Sequence, residues 1–319
     1  MDREKEEKID ILHFCPANLA TGGTEGIHKL VSQFCKLGAN AKVLYSGMDL
    51  SNPQPKEFAE YGCDWVTEIP NDFNGILIFP EVWGNRVTLP IYKDMKVAIN
   101  WQGIDVYDWN TPEAQRGLFL QRTDTIHITM SEYGIEHLRA LGIDDPIKIP
   151  DCLNQDFYDV EFDRKAERKD IVLYNPVAVK MTKFQETVMA RATTEFGIRF
   201  KAIQGLTRAE LIDLLKQHKL YIDFGVFSGR ERLPREAVMC GCCILTSNKG
   251  TAAYYQDNTI LDKYKISDVN EALGMIKYVL REYKECLSDF DVYRYALKTD
   301  NEDYADDVKY LLQRLKGAK

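Results

Sequence analysis

Apolar positions along the chain follow two alternating rhythms. Compact apolar runs at 9–14, 41–45, 75–79, 96–100 and 125–129 have the length and bounding residues of buried strands. Between the first two runs, Ile27, Leu30, Val31, Phe34 and Leu37 recur at steps of three and four, the spacing of one helical face, and Gly38 closes the helix. Ser131 is placed to cap a further helix that runs through Leu141 to Gly142. The pattern breaks between Pro146 and Asp163 and then restarts. Strands are predicted at 170–174, 199–203, 219–223 and 242–246, with a helix from about Thr182 and another opened by the capping box Thr207–Glu210. Two helical faces end the chain: Ala272, Met275, Ile276, Val279 and Leu280, then Tyr304, Val308, Leu311, Leu312 and Leu315. Strand and helix alternating throughout predicts an α/β protein with two doubly wound, Rossmann-like domains, 1–152 and 153–319. Such sheets bind ligands beyond the carboxyl ends of their strands.

Composition narrows the function classes. A chain of 319 residues with 45% hydrophobic and 28% charged residues is globular in character and long enough for two domains. A net charge of −8 argues against a general nucleic-acid partner. No apolar run is long enough to span a membrane, which leaves only peripheral membrane contact open. The charged stretch at 1–8 has no apolar core of the kind a secretory signal needs. The eight cysteines lie mostly in apolar stretches and read as reduced, buried thiols, so a cytoplasmic setting is expected. Cys240, Cys242 and Cys243 form half a metal site at most, with no second pair at ligand spacing, and no metal is expected.

The chemistry concentrates at two places. Arg230, Arg232 and Arg235 put three guanidinium groups within six residues at a strand-to-helix turn beside Gly229. Guanidinium groups suit bidentate phosphate contact, and fixed cations stabilise the charge that builds on a departing diphosphate. The bland alternative is a solvated turn with Pro234 opening a helix. Near the amino end, Gly22, Gly23 and Thr24 open a helix where backbone N–H groups can approach an anion. Glu25 and His28 lie one turn apart there. Pro80–Gly84 with Glu81, and the segment holding Trp101, Gln102 and Asp105, both follow strands. Aromatic faces and carboxylate or amide groups at strand ends are candidates for an acceptor site, with structural packing of the tryptophans as the competing view. His127, flanked by isoleucines, reads as a core histidine.

The pair of segments 22–28 and 228–237, followed by Gly241 and Gly250, resembles the GT-B glycosyltransferases, and within them the retaining, family-4-like group. The resemblance covers nearly the whole chain. It implies two domains facing a central cleft, an acceptor-side first domain, a nucleotide-sugar-binding second domain and a terminal helix that crosses back. It implies transfer from a nucleotide-diphosphate sugar, UDP- or GDP-linked, to a glycan, lipid-linked or small-molecule acceptor, with no covalently bound cofactor. No Asp-x-Asp at a strand end offers the carboxylate pair that a bridging metal would require, so metal independence is expected. By resemblance, Lys180 and Lys183 stand at the phosphate-binding position, Glu236 matches a motif glutamate that contacts the ribose, and Arg230, Lys180 and Glu231 are the catalytic candidates. Gly229, Ser228, Arg232, Arg235, Gly250 and Thr251 complete the donor side. One departure stands out: the position of the family's other motif glutamate holds Ser228, and Glu231 is out of register. Either Glu231 substitutes through a reshaped loop, or Ser228 and backbone amides hold the sugar. A sugar-nucleotide epimerase and a catalytically silent binding homologue are the alternative readings.

Overall fold

A computed structural model describes residues 8–177 and 181–317. The chain divides into two compact units, one of Met1–Asp151 with Asp303–Lys319, the other of Cys152–Glu302.

The first unit is built on seven strands: β1 (Asp10–Pro16), β2 (Asn40–Ser46), β3 (Trp65–Val66), β4 (Ile76–Pro80), β5 (Lys96–Trp101), β6 (Ile126–Thr129) and β7 (Ile147–Lys148). They lie in the order β3-β2-β1-β4-β5-β6-β7, and every neighbouring pair is parallel. Central strands covered on both faces must be apolar at successive positions, which is why β4 and most of β1 are buried along their length. Alternate side chains divide the core. Ile11, Ile76, Ile78 and Ala98 join one cluster, and Leu12, Phe14, Leu77, Phe79 and Ile99 the other. The first cluster packs on helix α1 (Gly22–Lys36), which Thr21 and Thr24 open with a reciprocal capping box. The second packs on α2 (Ile104–Asn110) and on short 3-10 turns, among them Glu81–Thr88 and Leu118–Gln121. Ser131 caps α3 (Glu132–Ala140).

The second unit opens with α4 (Gln155–Tyr158) and then runs β8 (Lys169–Tyr174), α5 (Lys183–Phe196), β9 (Arg199–Ala202), α6 (Arg208–Lys216), β10 (His218–Asp223), α7 (Arg232–Met239), β11 (Cys243–Ser247) and β12 (Lys265–Ile266). Its parallel sheet has the order β12-β11-β10-β8-β9. Helices α8 (Val269–Arg281) and α9 (Tyr283–Ser288) follow, and α10 (Asp291–Gly317) ends the described chain. Tyr293 and Leu297 of α10 belong to the core of the second unit, while Val308, Leu311, Leu312 and Leu315 belong to that of the first. Both sheets are thus doubly wound. No helix among the described residues is long and apolar enough to cross a membrane.

Candidate active site

In the second unit the strand order reverses between β8 and β10. The crevice at such a reversal is where open α/β sheets receive ligands. The loop leaving β10 carries the arginine motif, and the turn leaving β8 leads to the lysines. Lys180 lies outside the described residues. Lys183 is exposed at the first position of α5, which Thr182 caps through the N–H of Gln185. Gln185 is fully buried and joins the two loops: its Oε1 accepts the N–H of Phe224, the residue just beyond β10, at 2.9 Å. Sequence reasoning missed this residue. Its signal was a polar side chain standing in the stripe that Val188 and Ala192 continue into the core.

The segment after β10 is fastened to the segment after β11. Ser247 donates to the carbonyl of Gly225 at 2.5 Å, the Thr251 hydroxyl to that of Gly229 at 2.6 Å, and the Thr251 N–H to that of Phe227 at 2.8 Å. Gly250 permits this closure. Its backbone sits at φ 60°, ψ −142°, and a Cβ there would meet the Phe227 carbonyl oxygen at 2.0 Å. That region of backbone space is open essentially to glycine alone.

Of the three arginines, one bonds the loop itself and another leaves it for α10. Arg235 is buried and donates from Nε to the carbonyl of Glu231 at 3.0 Å and from its terminal nitrogen to that of Arg230 at 2.5 Å. Arg230, expected at the diphosphate, has a side chain only 7% exposed, paired with Asp300 of α10 at 2.6 Å. Burial disfavours its charge, and Asp300, with Tyr293 and Asp257, more than offsets this and holds its pKa above the ordinary arginine value. Arg232 and Glu236 are half-buried on α7, with Glu231 at the N-cap position, and Ser228 is buried beside Gly229. The cysteine cluster at 240–243 is buried, and burial raises its thiols above their usual range. Among the described residues no three His, Cys, Asp or Glu side chains are grouped to hold a metal ion.

In the first unit the strand order reverses between β1 and β4. Here Gly23, Gln102 and Glu81 come together. Gln102 donates from its side chain to the Gly23 carbonyl at 2.9 Å and from its backbone to Glu81 Oε2 at 3.2 Å. Gly22 and Gly23 are exposed at the start of α1. Glu81 is buried, and burial raises its pKa to about 7 against the N–H groups of Glu81, Gln102 and Gly103 that favour the carboxylate.

The other acceptor-side candidates contact residues of the first unit. Thr24 is buried and donates to the Leu19 carbonyl at 2.7 Å. Glu25 accepts the Tyr61 hydroxyl and lies 3.8 Å from Lys29. His28 is buried, donating from Nδ1 to the Thr24 carbonyl and accepting the Tyr45 hydroxyl at Nε2, both at 2.7 Å. Asp105 accepts the Tyr133 hydroxyl at 3.1 Å. Trp101, considered for stacking on a sugar, is 1% exposed and enclosed by Tyr107, Phe119 and His127, so protein fills the space that a sugar ring would need. Its indole N–H donates to His127 Nδ1 at 3.0 Å, and burial lowers the pKa of His127 to about 4. His13 of β1, equally buried, donates from Nδ1 to the Phe14 carbonyl at 2.9 Å and accepts the Asn100 amide at Nε2 at 3.1 Å.

No protein-family model matches the chain, and no curated protein matches its sequence. Solved structures do match its shape. Sucrose-phosphate synthase from Thermosynechococcus elongatus aligns over 98% of this chain and 100% of its own, with a TM-score of 0.71 at 12% identity. The chain has the fold of the GT-B glycosyltransferases. A trehalose-6-phosphate protein from E. coli, bound with UDP-2-fluoro glucose, shares this fold over 97% of this chain and 99% of its own, with a TM-score of 0.66 at 8% identity. A UDP-N-acetylglucosamine 2-epimerase structure from Listeria monocytogenes matches 89% of this chain and 90% of its own, with a TM-score of 0.52 at 13% identity. The structural overlap establishes the GT-B fold, and a shared fold does not fix the reaction.

Proposed function

We propose that this GT-B chain transfers a sugar from a nucleotide-diphosphate donor to a carbohydrate, glycolipid or small-molecule acceptor. The observation that carries the reading is the placement of 228–236 at the carboxyl edge of β10, beside the strand-order reversal of the second sheet and within one hydrogen-bonded frame with α5. The neighbour bound with UDP-2-fluoro glucose supports a uridine nucleotide, with a guanosine nucleotide as the other candidate. Donor contacts are assigned to Lys180, Lys183 and Arg232 at the diphosphate, Glu236 at the ribose, and Ser228, Gly229, Glu231, Gly250 and Thr251 around the sugar. Acceptor contacts are assigned to Gly22, Gly23, Gln102 and Glu81.

In the proposed reaction the bond between the sugar C1 and the diphosphate oxygen breaks, and the acceptor hydroxyl oxygen bonds to C1 on the same face. Its proton passes to the departing phosphate oxygen. Retention follows from that geometry, and side-chain cations, with no bridging metal, meet the developing charge. A cytoplasmic location belongs to the same proposal. Ser228 in place of a motif glutamate favours, as a second reading, a homologue that binds nucleotide sugars without transferring them. Incubation with a panel of UDP- and GDP-sugars, scored for nucleotide release and sugar transfer, tests the proposal. Binding without turnover for every donor selects the second reading, and the absence of any nucleotide-dependent rise in melting midpoint refutes both.

A further inference from the structure

Three successive carbonyls of the motif loop are held from the protein side. Thr251 holds that of Gly229, and Arg235 holds those of Arg230 and Glu231. The Arg230 side chain then leaves the loop altogether and meets Asp300 on α10 at 2.6 Å, with Tyr293, one of the buried core residues of that helix, nearby. Asp300 is itself fixed on the helix, where its carbonyl accepts the thiol of Cys152 at 3.5 Å. A guanidinium that reaches 70 residues along the sequence to a half-buried carboxylate anchors the loop, because separating the pair strands the buried arginine charge away from water.

We propose that Arg230 and Asp300 act as a positioning pair that clamps the motif loop to α10, so that contact with the donor diphosphate falls to cations other than Arg230, with Lys183 and Arg232 the candidates among the described residues. This rests on the nucleotide-sugar reading above for its ligand. The rival arrangement has Arg230 leaving Asp300 for the phosphate. The two differ in the sign of one substitution. For a positioning pair, Asp300→Asn loosens the loop and weakens nucleotide binding. For a phosphate ligand held in check by Asp300, the same change releases Arg230 and tightens binding.

Calorimetric titration with UDP and with GDP across a range of salt concentrations reads this directly. The positioning role predicts that Arg230→Met and Asp300→Asn each weaken whichever nucleotide binds by about tenfold. It also predicts that the Arg230→Met, Asp300→Asn double variant is no weaker than either single one. The salt dependence of binding stays as in the wild type in all three variants, because no phosphate contact has been removed, whereas Lys183→Ala flattens it. Tighter binding by Asp300→Asn, or a flattened salt dependence in Arg230→Met, overturns the proposal. A wild-type chain that binds neither nucleotide refutes the donor reading separately. The pair is then judged by the same double-mutant cycle in urea denaturation, where additive effects overturn it and strong coupling sustains it. Asp300→Asn keeps the shape of the side chain and an acceptor oxygen, so it provides a folded variant if Arg230→Met does not.

Discussion

His13 makes the pH dependence of the first unit predictable. Its Nδ1–H is committed to the Phe14 carbonyl and its Nε2 to the Asn100 amide, so a second ring proton would face a donor inside a buried site. Burial, opposed by the Phe14 hydrogen bond and assisted by His28, lowers its pKa to about 4 from 6.5. The unfolded chain therefore binds a proton between those limits that the folded chain does not. Its contribution is complete above about pH 6.5 and is lost as the pH falls toward 4, at about 1.4 kcal/mol per pH unit, or roughly 3 kcal/mol in all. His127, also lowered to about 4 by burial, acts in the same direction. All four tryptophans, Trp65, Trp83, Trp101 and Trp109, lie in the first unit, so urea titrations followed by tryptophan fluorescence report on that unit alone. In His13→Gln the slope of stability against pH between 4.5 and 6.5 should fall by about one proton relative to the wild type. The variant should also be less stable at pH 7 by about 1–3 kcal/mol, the cost of disturbing buried hydrogen bonds. An unchanged slope would refute the argument, whatever the loss at neutral pH.

Glu81 predicts the opposite sign. Its folded pKa of about 7 exceeds the ordinary 4.5, so its contribution is complete below about 4.5 and is lost as the pH rises through 7. Glu81→Gln should therefore steepen the rise of stability with pH over that window, and a shallower rise in the same fluorescence titrations would count against the assignment. Gly250→Ala should destabilise the second unit by about 2–3 kcal/mol or more, since backbone strain costs about 1–3 kcal/mol and the overlap with the Phe227 carbonyl adds to it. Far-ultraviolet dichroism against urea checks this, and a loss under 0.5 kcal/mol would show that the loop relaxes at little cost.

The parts of the fold legible in the sequence were those whose signal is local. β1, β4 and β5 are runs of apolar residues because both faces are covered, and Ser131, Thr182 and Thr207 each cap the helix they precede. β3 and β12 pair over two residues each, too short for any periodicity, and the 3-10 turns between β4 and β6 repeat too briefly to show a face. At the site, the glycines and the arginine-rich turn were visible because turns need particular residues. The partners were not. Nothing near Arg230 in sequence announces Asp300, and nothing near Glu81 announces the N–H groups of Gln102 and Gly103. Trp101 shows the limit most sharply: a strand end says that a side chain lies at the edge of the sheet, and only packing says whether it faces solvent or Phe119.

Helix α10 has a consequence for the order in which the protein is made. The residues that complete the first core, Val308, Leu311, Leu312 and Leu315, are translated after every residue of the second unit. The second unit is contiguous from Cys152 to Glu302, whereas the first lacks part of its apolar interior until those last residues join it. A chain ended before Asp303 therefore leaves the first core open while it holds every residue of the second. For chaperones that recognise uncovered apolar surface, the amino-terminal half stays a client the longest, although it is the first to emerge.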